Sequence, residues 1–532
     1  MINNKYLKNI YYLTIFLINS LLIFCLIFKS HGITLGWDTQ FHINRIEEIV
    51  KSLENGHLLP SHGTYAFSHI GLAVNYFYPY LFLYPFAILE ILFNPLFGYN
   101  VTLLLMTFIG FIISYLTIKK LNFGDEQYSD PIAFWFSILY NNSSYIIFQS
   151  TLRGDIGEFI ALILLPIVFL GFQMLYDKNT NLWVLLPVGL VLVAYSHLLS
   201  VFIFSSLLLL LFCIKYKYLS VNILKRLIIS IIIFLVLVTP IIIPMILLTR
   251  STKVLMPMSG ILQDEALNPL ALLTNSIKNS IAVSMQSINI GTLTIVVSVV
   301  SIIILIIKQK KIAHTNEIKI FFILGLTYTV LSTRLFPWFL LNNSPIRIIQ
   351  FPWRLLGIAT FCFAYAGALE FGQLYISKRL ILGILVCISA LNLSYVHAYL
   401  TLQPPRFYSY YNLSEFHKMA TSAEYYDYMS AGKKNYYNEN DLLKRKLSMY
   451  QNYVNINGKR VKLSSDQIHP GYKKMTYNIE GLRPGELNQI VLPLNNYGLN
   501  KSKQGRVAEN LEGNTVIWIR ASKTYKNVTI TN

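Results

Sequence analysis

LGWDTQFHINRIEEIVKSLENGHLLP, residues 35–60, follows the first long apolar segment and sets the character of the chain. A helix beginning at Trp37 places Asp38, His42 and Arg45 on one line, at i, i+4 and i+7. Ile46, Ile49, Val50 and Leu53 form an apolar stripe beside that line, with Asn44, Glu47, Glu48 and Lys51 opposite. That is the pattern of a helix lying on a membrane surface. An acid, an imidazole and a guanidinium then sit where a lipid head group meets water. Asp38 also stands where an N-cap stands, and capping alone is the other reading of it.

The composition agrees with a membrane setting. The 532 residues are 54% hydrophobic and only 13% charged, with a mean hydropathy of +0.49, which places the chain among integral membrane proteins. Many of the tyrosines lie near segment ends, as interfacial belts require. A net charge of +19 would suggest nucleic acid for a soluble protein. Here much of it falls in short loops between apolar runs, so it reads as an orientation signal and as affinity for anionic lipid, with no nucleic-acid partner. Cys25, Cys213, Cys362 and Cys387 all lie inside apolar segments, without disulfide or zinc spacing. The apolar run 10–28 follows Lys5 and Lys8, and no small-x-small cleavage site comes after it, so it reads as an uncleaved first span.

Further runs long enough to cross a bilayer occur near 98–118, 131–148, 156–176, 223–249, 287–307, 318–334, 353–374 and 380–400. The run 182–214 is too long for one span and is interrupted at Ser196 and His197, which predicts two short helices. Lys119 and Lys120, the 215–226 loop, Lys308 to Lys311, and Lys378 with Arg379 mark the cytoplasmic side. Carried along the chain, this sidedness makes YFYPYLFLYPFAILEILF, within 76–96, a re-entrant or surface-lying helix, helped by Pro79 and Pro85. The expectation is an all-α polytopic bundle of about eleven spans in the cell membrane, with the N-terminus cytoplasmic. Asp38, QSTLRGDIGEF at 149–159, the 250–286 loop and LFPWFLLNNSPIRIIQFPWR at 335–354 then share the outer face.

From about 401 the chain turns Tyr-rich and polar, and short alternating runs follow. VNINGKRVKL carries a hairpin signal at Asn457-Gly458, while NQIVLPL, TVIWIRA and KNVTIT read as strands. Two domains are expected: a transmembrane domain at 1–400 and a small extracytoplasmic β-rich domain within 401–532.

Ionisable groups beside apolar spans are costly and therefore candidates for function. Arg153, Asp155 and Glu158 flank the start of a span in RGDIGEF, where interfacial anchoring by Arg153 and helix capping by Asp155 are the alternative. Arg347 and Arg354 bracket RIIQFPWR; a guanidinium fork suits phosphate oxygens, and Phe351 and Trp353 can line an apolar slot beside it. His197 either faces the site or satisfies the broken backbone around it. Arg250 and Lys253 open the long outer loop and add positive charge there. No P-loop, dinucleotide glycine pattern, HExxH pair or nucleophile elbow appears, so energy for a reaction outside would arrive in an activated lipid.

GWDTQFHINRI, FYPYLFLYP, RGDIGEF, IQFPWRLL and SAEYYDYM together resemble the bacterial 6-pyruvoyl-tetrahydropterin-synthase-related membrane proteins of the GT-C superfamily of polyprenyl-phosphate-sugar glycosyltransferases. The resemblance spans about residues 10–430 and implies no pterin chemistry. It implies a GT-C-like bundle in which Asp38 is the first-loop acid, acting as catalytic base or orienting the acceptor. Asp155 or Glu158 would be the second-loop acid, and Arg347 or Arg354 the phosphate contact; His42, Arg45, Arg153, His197 and Arg250 complete the substrate-binding set. Thr39 and Gln40 after Asp38 depart from the DxD form of metal-dependent members, so no metal or other cofactor is assigned. The implied partners are a polyprenyl-phosphate-linked sugar, a polymer, glycolipid or protein acceptor of the cell envelope, and membrane lipid. The implied reaction is an inverting single displacement. A transporter or flippase for a lipid-linked glycan and a non-catalytic scaffold of envelope assembly are the alternatives.

Overall fold

The computed structural model describes residues 4–532 apart from 61, 122, 124–125, 258–259, 309–312, 403–412, 423, 426 and 433–438. Lys310 and Lys311 of the basic loop, and Ala423 and Tyr426 of SAEYYDYM, lie outside the described residues. The chain is 64% helical with a C-terminal β-sheet region. It forms two compact units, Met1–Thr39 with Phe93–Val238 and Ser259–Tyr410, and Gln40–Leu92 with Thr239–Met258 and Tyr411–Asn532.

Among the described residues, seven helices are long and apolar enough to cross a membrane, not eleven. Four expected crossings are helices of 16, 10, 17 and 17 residues, at Glu126–Asn141, Leu185–Ala194, Leu198–Ile214 and Thr315–Leu331. The run 131–148 is cut because Ser143 caps a new short helix, Ser144–Phe148, by accepting from the Ile146 N–H. The run 182–214 divides at Tyr195–His197, as its polar residues predict.

In the first unit, the apolar helices differ in what surrounds them. The segments Ile156–Met174 and Pro352–Phe371 are each 94% buried, whereas Val221–Ser251, whose last turns belong to the second unit, is 11% buried. A helix apolar on every side and left uncovered along Ile228, Ile231 and Leu235 is compatible with a membrane span. Leu356–Phe371 packs on Thr315–Leu331 and on Glu126–Asn141, and Ile156–Met174 packs on Leu185–Ala194. Lys8 and Lys119 both reach Asp130, at 2.9 and 2.6 Å, so the starts of Asn4–Lys29 and Glu126–Asn141 and the end of Pro95–Lys119 lie together.

The second unit has eight strands among the described residues: β1 Tyr453–Ile456, β2 Lys459–Lys462, β3 Ile468–Gly471, β4 Lys474–Glu480, β5 Leu487–Asn495, β6 Arg506–Glu509, β7 Asn514–Arg520 and β8 Tyr525–Thr531. They form a sheet in the order β2-β1-β5-β7-β6 and a second in the order β3-β4-β8, all pairs antiparallel. Asn457 and Gly458 join β1 to β2 with φ of 51° and 87°, the two positive values a type I′ turn demands. Ile456, Tyr477, Ile490, Leu492, Ile517 and Val528 form the core of this region.

The helix Thr39–Glu54 belongs, from Gln40 onward, to this second unit, and it does not lie on a surface. Its polar face is buried as deeply as its apolar stripe, with Asn44, Arg45 and Glu48 at 0% exposure. The reason is a loop that brings unpaired backbone donors to that face. Glu48 Oε2 accepts from the Tyr65 and Ala66 N–H groups, both at 2.9 Å, and Asn44 Oδ1 accepts from the Phe67 N–H at 3.1 Å. The Asn44 amide donates to the Met419 carbonyl at 2.8 Å. Residues 74–92 fold as short pieces, Val74–Phe77, Leu81–Leu83 and Tyr84–Leu92, divided at the two prolines.

Candidate functional site

The charged residues picked from the sequence of the first unit meet where two stretches of backbone cross. The Trp37 N–H donates to the Leu152 carbonyl at 2.9 Å and the Asp38 N–H to the Arg153 carbonyl at 2.8 Å. Glycines make so close a crossing possible. A Cβ at Gly36 would lie 2.3 Å from the Leu152 oxygen, and one at Gly154, whose φ is +65°, would lie 2.2 Å from Thr39 Oγ1. The crossing segment, Gln149–Arg153, winds as one π-helical turn, a form frequent at functional sites.

This crossing sets Asp38 Oδ2 2.9 Å from Arg153 Nε, an ion pair whose N–H is not aligned for a hydrogen bond. Arg153 Nη2 lies 3.6 Å from Asp155 Oδ2. The Arg153 guanidinium also lies over the rings of Trp353, Phe351 and Trp37, at 5.0, 5.8 and 5.9 Å from their centroids. Burial works against its charge, but Asp38, Asp155 and Glu158 outweigh that and raise its pKa above the ordinary value.

Asp155 caps the helix Ile156–Met174, its Oδ1 accepting from the Glu158 N–H at 3.0 Å. The capping role read from the sequence and the charged role thus coexist in one side chain. Glu158 Oε1 accepts from the Tyr145 hydroxyl at 3.0 Å and the Gln149 amide at 2.9 Å, and its Oε2 meets Arg354 Nε at 3.1 Å. Arg354 in turn donates to the Ile349 carbonyl and to Gln350 Oε1, at 3.1 and 2.8 Å. Gln350 has φ +61°, a conformation that costs energy in a residue with a side chain and recurs at functional sites.

No protein-family model matches the chain, and no curated protein matches it. The chemistry of the cluster therefore has to be read from its own atoms. Asp38, Arg153, Asp155, Glu158, His197 and Arg354 come together; Arg347, on Pro345–Ile349, is exposed. His42, Arg45 and Arg250 belong to the second unit. There Arg45 donates to the Tyr78 and Pro79 carbonyls at 2.9 and 2.6 Å and to Asn75 Oδ1 at 3.2 Å. The helix starts at Thr39, so Asp38 directly precedes it instead of lying within it.

His197 stands at the break before Leu198–Ile214, its Nδ1 2.8 Å from Ser200 Oγ. With Asp155 and Glu158 it brings one ligand atom each to within 4.8 Å of one another, the donor set of a divalent-metal site. In this arrangement both Glu158 oxygens and Asp155 Oδ1 accept from protein donors, and Arg153 and Arg354 supply the positive charge a cation would supply.

Tyr145, Gln149 and Gln350 escaped the sequence reading. They are uncharged, and their hydrogen bonds to Glu158 and Arg354 are what reveal them. The three carboxylates are not equivalent: the Asp38 side chain is 32% exposed, while Asp155 and Glu158 are 4% and 3% exposed. Asp38 is open to solvent, and the other two are held against the guanidiniums.

Proposed function

We propose that the chain is a membrane-embedded glycosyltransferase that moves a sugar from a polyprenyl-phosphate donor to a cell-envelope acceptor on the outer face of the membrane. The observation that carries this reading is the accessible Asp38 carboxylate, backed by a buried guanidinium at 2.9 Å. Its place at the ends of apolar helices and the resemblance to GT-C transferases support it. In the proposed reaction Asp38 accepts the proton of the acceptor hydroxyl as the oxygen attacks the anomeric carbon. The bond from that carbon to the phosphate oxygen breaks, and its electron pair leaves with the phosphate as a stable anion, which makes a general acid unnecessary. Arg153 holds Asp38 in orientation through their ion pair. Arg347 is assigned the phosphate, because Arg354 is buried against Glu158. One displacement gives inversion.

The test is sugar release or transfer from polyprenyl-phosphate hexoses by full-length protein in lipid nanodiscs, comparing parent with Asp38→Asn. Turnover should fall by roughly 100-fold or more while donor binding persists. Equal turnover in both proteins removes Asp38 from the chemistry, and a folded parent that turns over no donor removes the transferase reading.

A further inference from the structure

The helix Ile156–Met174 starts at the charged cluster; past its other end, roughly 28 Å away, the first unit has an open cavity of about 740 Å³. Two loops make it, one after Met174 and one between Leu198–Ile214 and Val221–Ser251. Arg226 ties them together, donating from its guanidinium to the carbonyls of Met174, Leu175, Asp177, Lys178 and Thr180. Its charge is thus fixed at the C-terminal end of a buried helix, where carbonyls gather.

Lys178, Lys215, Lys225 and Arg226 line this cavity, and among the described residues no carboxylate does. Asp177, the nearest acid in sequence, turns its Oδ1 to the Asn179 N–H. Lys215 donates to Gln173 and lies 4.9 Å over the Tyr176 ring, and burial pulls its ammonium below the ordinary value, partly offset by Glu317. Lys178 and Lys225 are exposed and form no ion pair among the described residues. Tyr176 and Trp183 supply amphipathic rings of the kind that lie at head-group depth. Beside the mouth, Val221, Leu224 and Ile228 are 81%, 43% and 57% exposed, so an apolar strip adjoins the cations.

A concave set of cations next to uncovered apolar surface fits an anionic amphiphile. We propose that this cavity binds the phosphate of an anionic membrane lipid, with Lys178 and Lys225 on the phosphate oxygens and the acyl chains along the start of Val221–Ser251. Phosphate is the chemistry recognised, and the apolar strip assigns it to a lipid rather than to a free ion. The site is independent of the proposed transferase centre.

Native mass spectrometry of the full-length protein reads the outcome, with phosphatidylglycerol and phosphatidylcholine offered in equal amounts. Parent protein should retain phosphatidylglycerol preferentially, and Lys178→Gln/Lys225→Gln should lose roughly tenfold or more of that preference. Lys378→Gln/Arg379→Gln, which removes as much exposed charge from the start of the helix Lys378–Leu402, should change it less than twofold. Equal losses in the two double variants would mean diffuse surface charge and overturn the proposal. Displacement of the lipid by millimolar inorganic phosphate, with no preference for phosphatidylglycerol over phosphatidylcholine, would assign the cavity to a soluble anion and overturn it too.

Discussion

Each unit buries carboxylates and guanidiniums, and each satisfies them differently. In the second unit Glu48 accepts from two backbone N–H groups, and Arg45 donates to two backbone carbonyls. Those bonds fix the path of a loop and close on themselves. In the first unit Glu158 meets Arg354, Asp155 meets Arg153, and the series ends at Asp38, which solvent reaches. Buried charge bonded to backbone holds architecture. Buried charge bonded to charge, with one open end, can hold a solvent-facing group in place.

Breaking the charge-to-charge kind should have the largest effect. Glu158→Leu leaves the Arg354 guanidinium buried beside neutral acceptors, an expected loss of about 3–5 kcal/mol. Adding Arg354→Met removes the orphaned charge, and most of the stability should return, since an apolar pair of similar volume is often as stable as a buried ion pair. Turnover should stay lost in the double variant. Thermal unfolding measured beside sugar transfer separates the two; a double variant as active as the parent would reduce this pair to architecture and erase the contrast.

Glu48→Ala should cost less, about 2–3 kcal/mol, by leaving the Tyr65 and Ala66 N–H groups without their acceptor. Hydrogen exchange of residues 62–73 should quicken while turnover per folded molecule is unchanged. A drop in turnover without faster exchange there would place Glu48 with the chemistry and break the contrast from the other side.

The same contrast explains what the sequence disclosed. Ionisable groups beside apolar runs stand out by composition, so Arg153, Asp155, Glu158 and Arg354 were legible. Their pairing was not, because it depends on a crossing between residues 36–39 and 151–154 that two glycines permit. The helix after Asp38 was misread for a similar reason. An amphipathic pattern is identical whether its polar face meets water or the backbone donors of a loop that follows it. Helix lengths also escaped, because a polar break such as Asn142-Ser143 ends a helix without interrupting the hydropathy around it. Asn457-Gly458 was legible because a two-residue turn is local, whereas β3, β4 and β6 carry no such signal.

His62, in the second unit, has neither kind of partner. Its ring stacks on Tyr76 with centroids 4.5 Å apart, and neither ring nitrogen has a hydrogen-bond partner among the described residues. Burial, with the Lys473 charge adding to it, pushes its pKa from 6.5 down to about 4. The folded protein thus keeps the ring neutral while the unfolded chain protonates it from pH 6.5 downward. Between 6.5 and about 4 the unfolded state binds more protons, so stability falls as pH falls, and the loss levels off below about 4. At one unit below 6.5 the loss is about 1.4 kcal/mol, the smallest of these effects. His62→Phe keeps the stack and removes the titration, so the difference in melting temperature between parent and variant should open steadily from pH 6.5 to 4.5. A difference that stays flat over that range would mean that His62 finds a proton acceptor on protonation, and that the second unit, too, can hold a buried charge by rearranging around it.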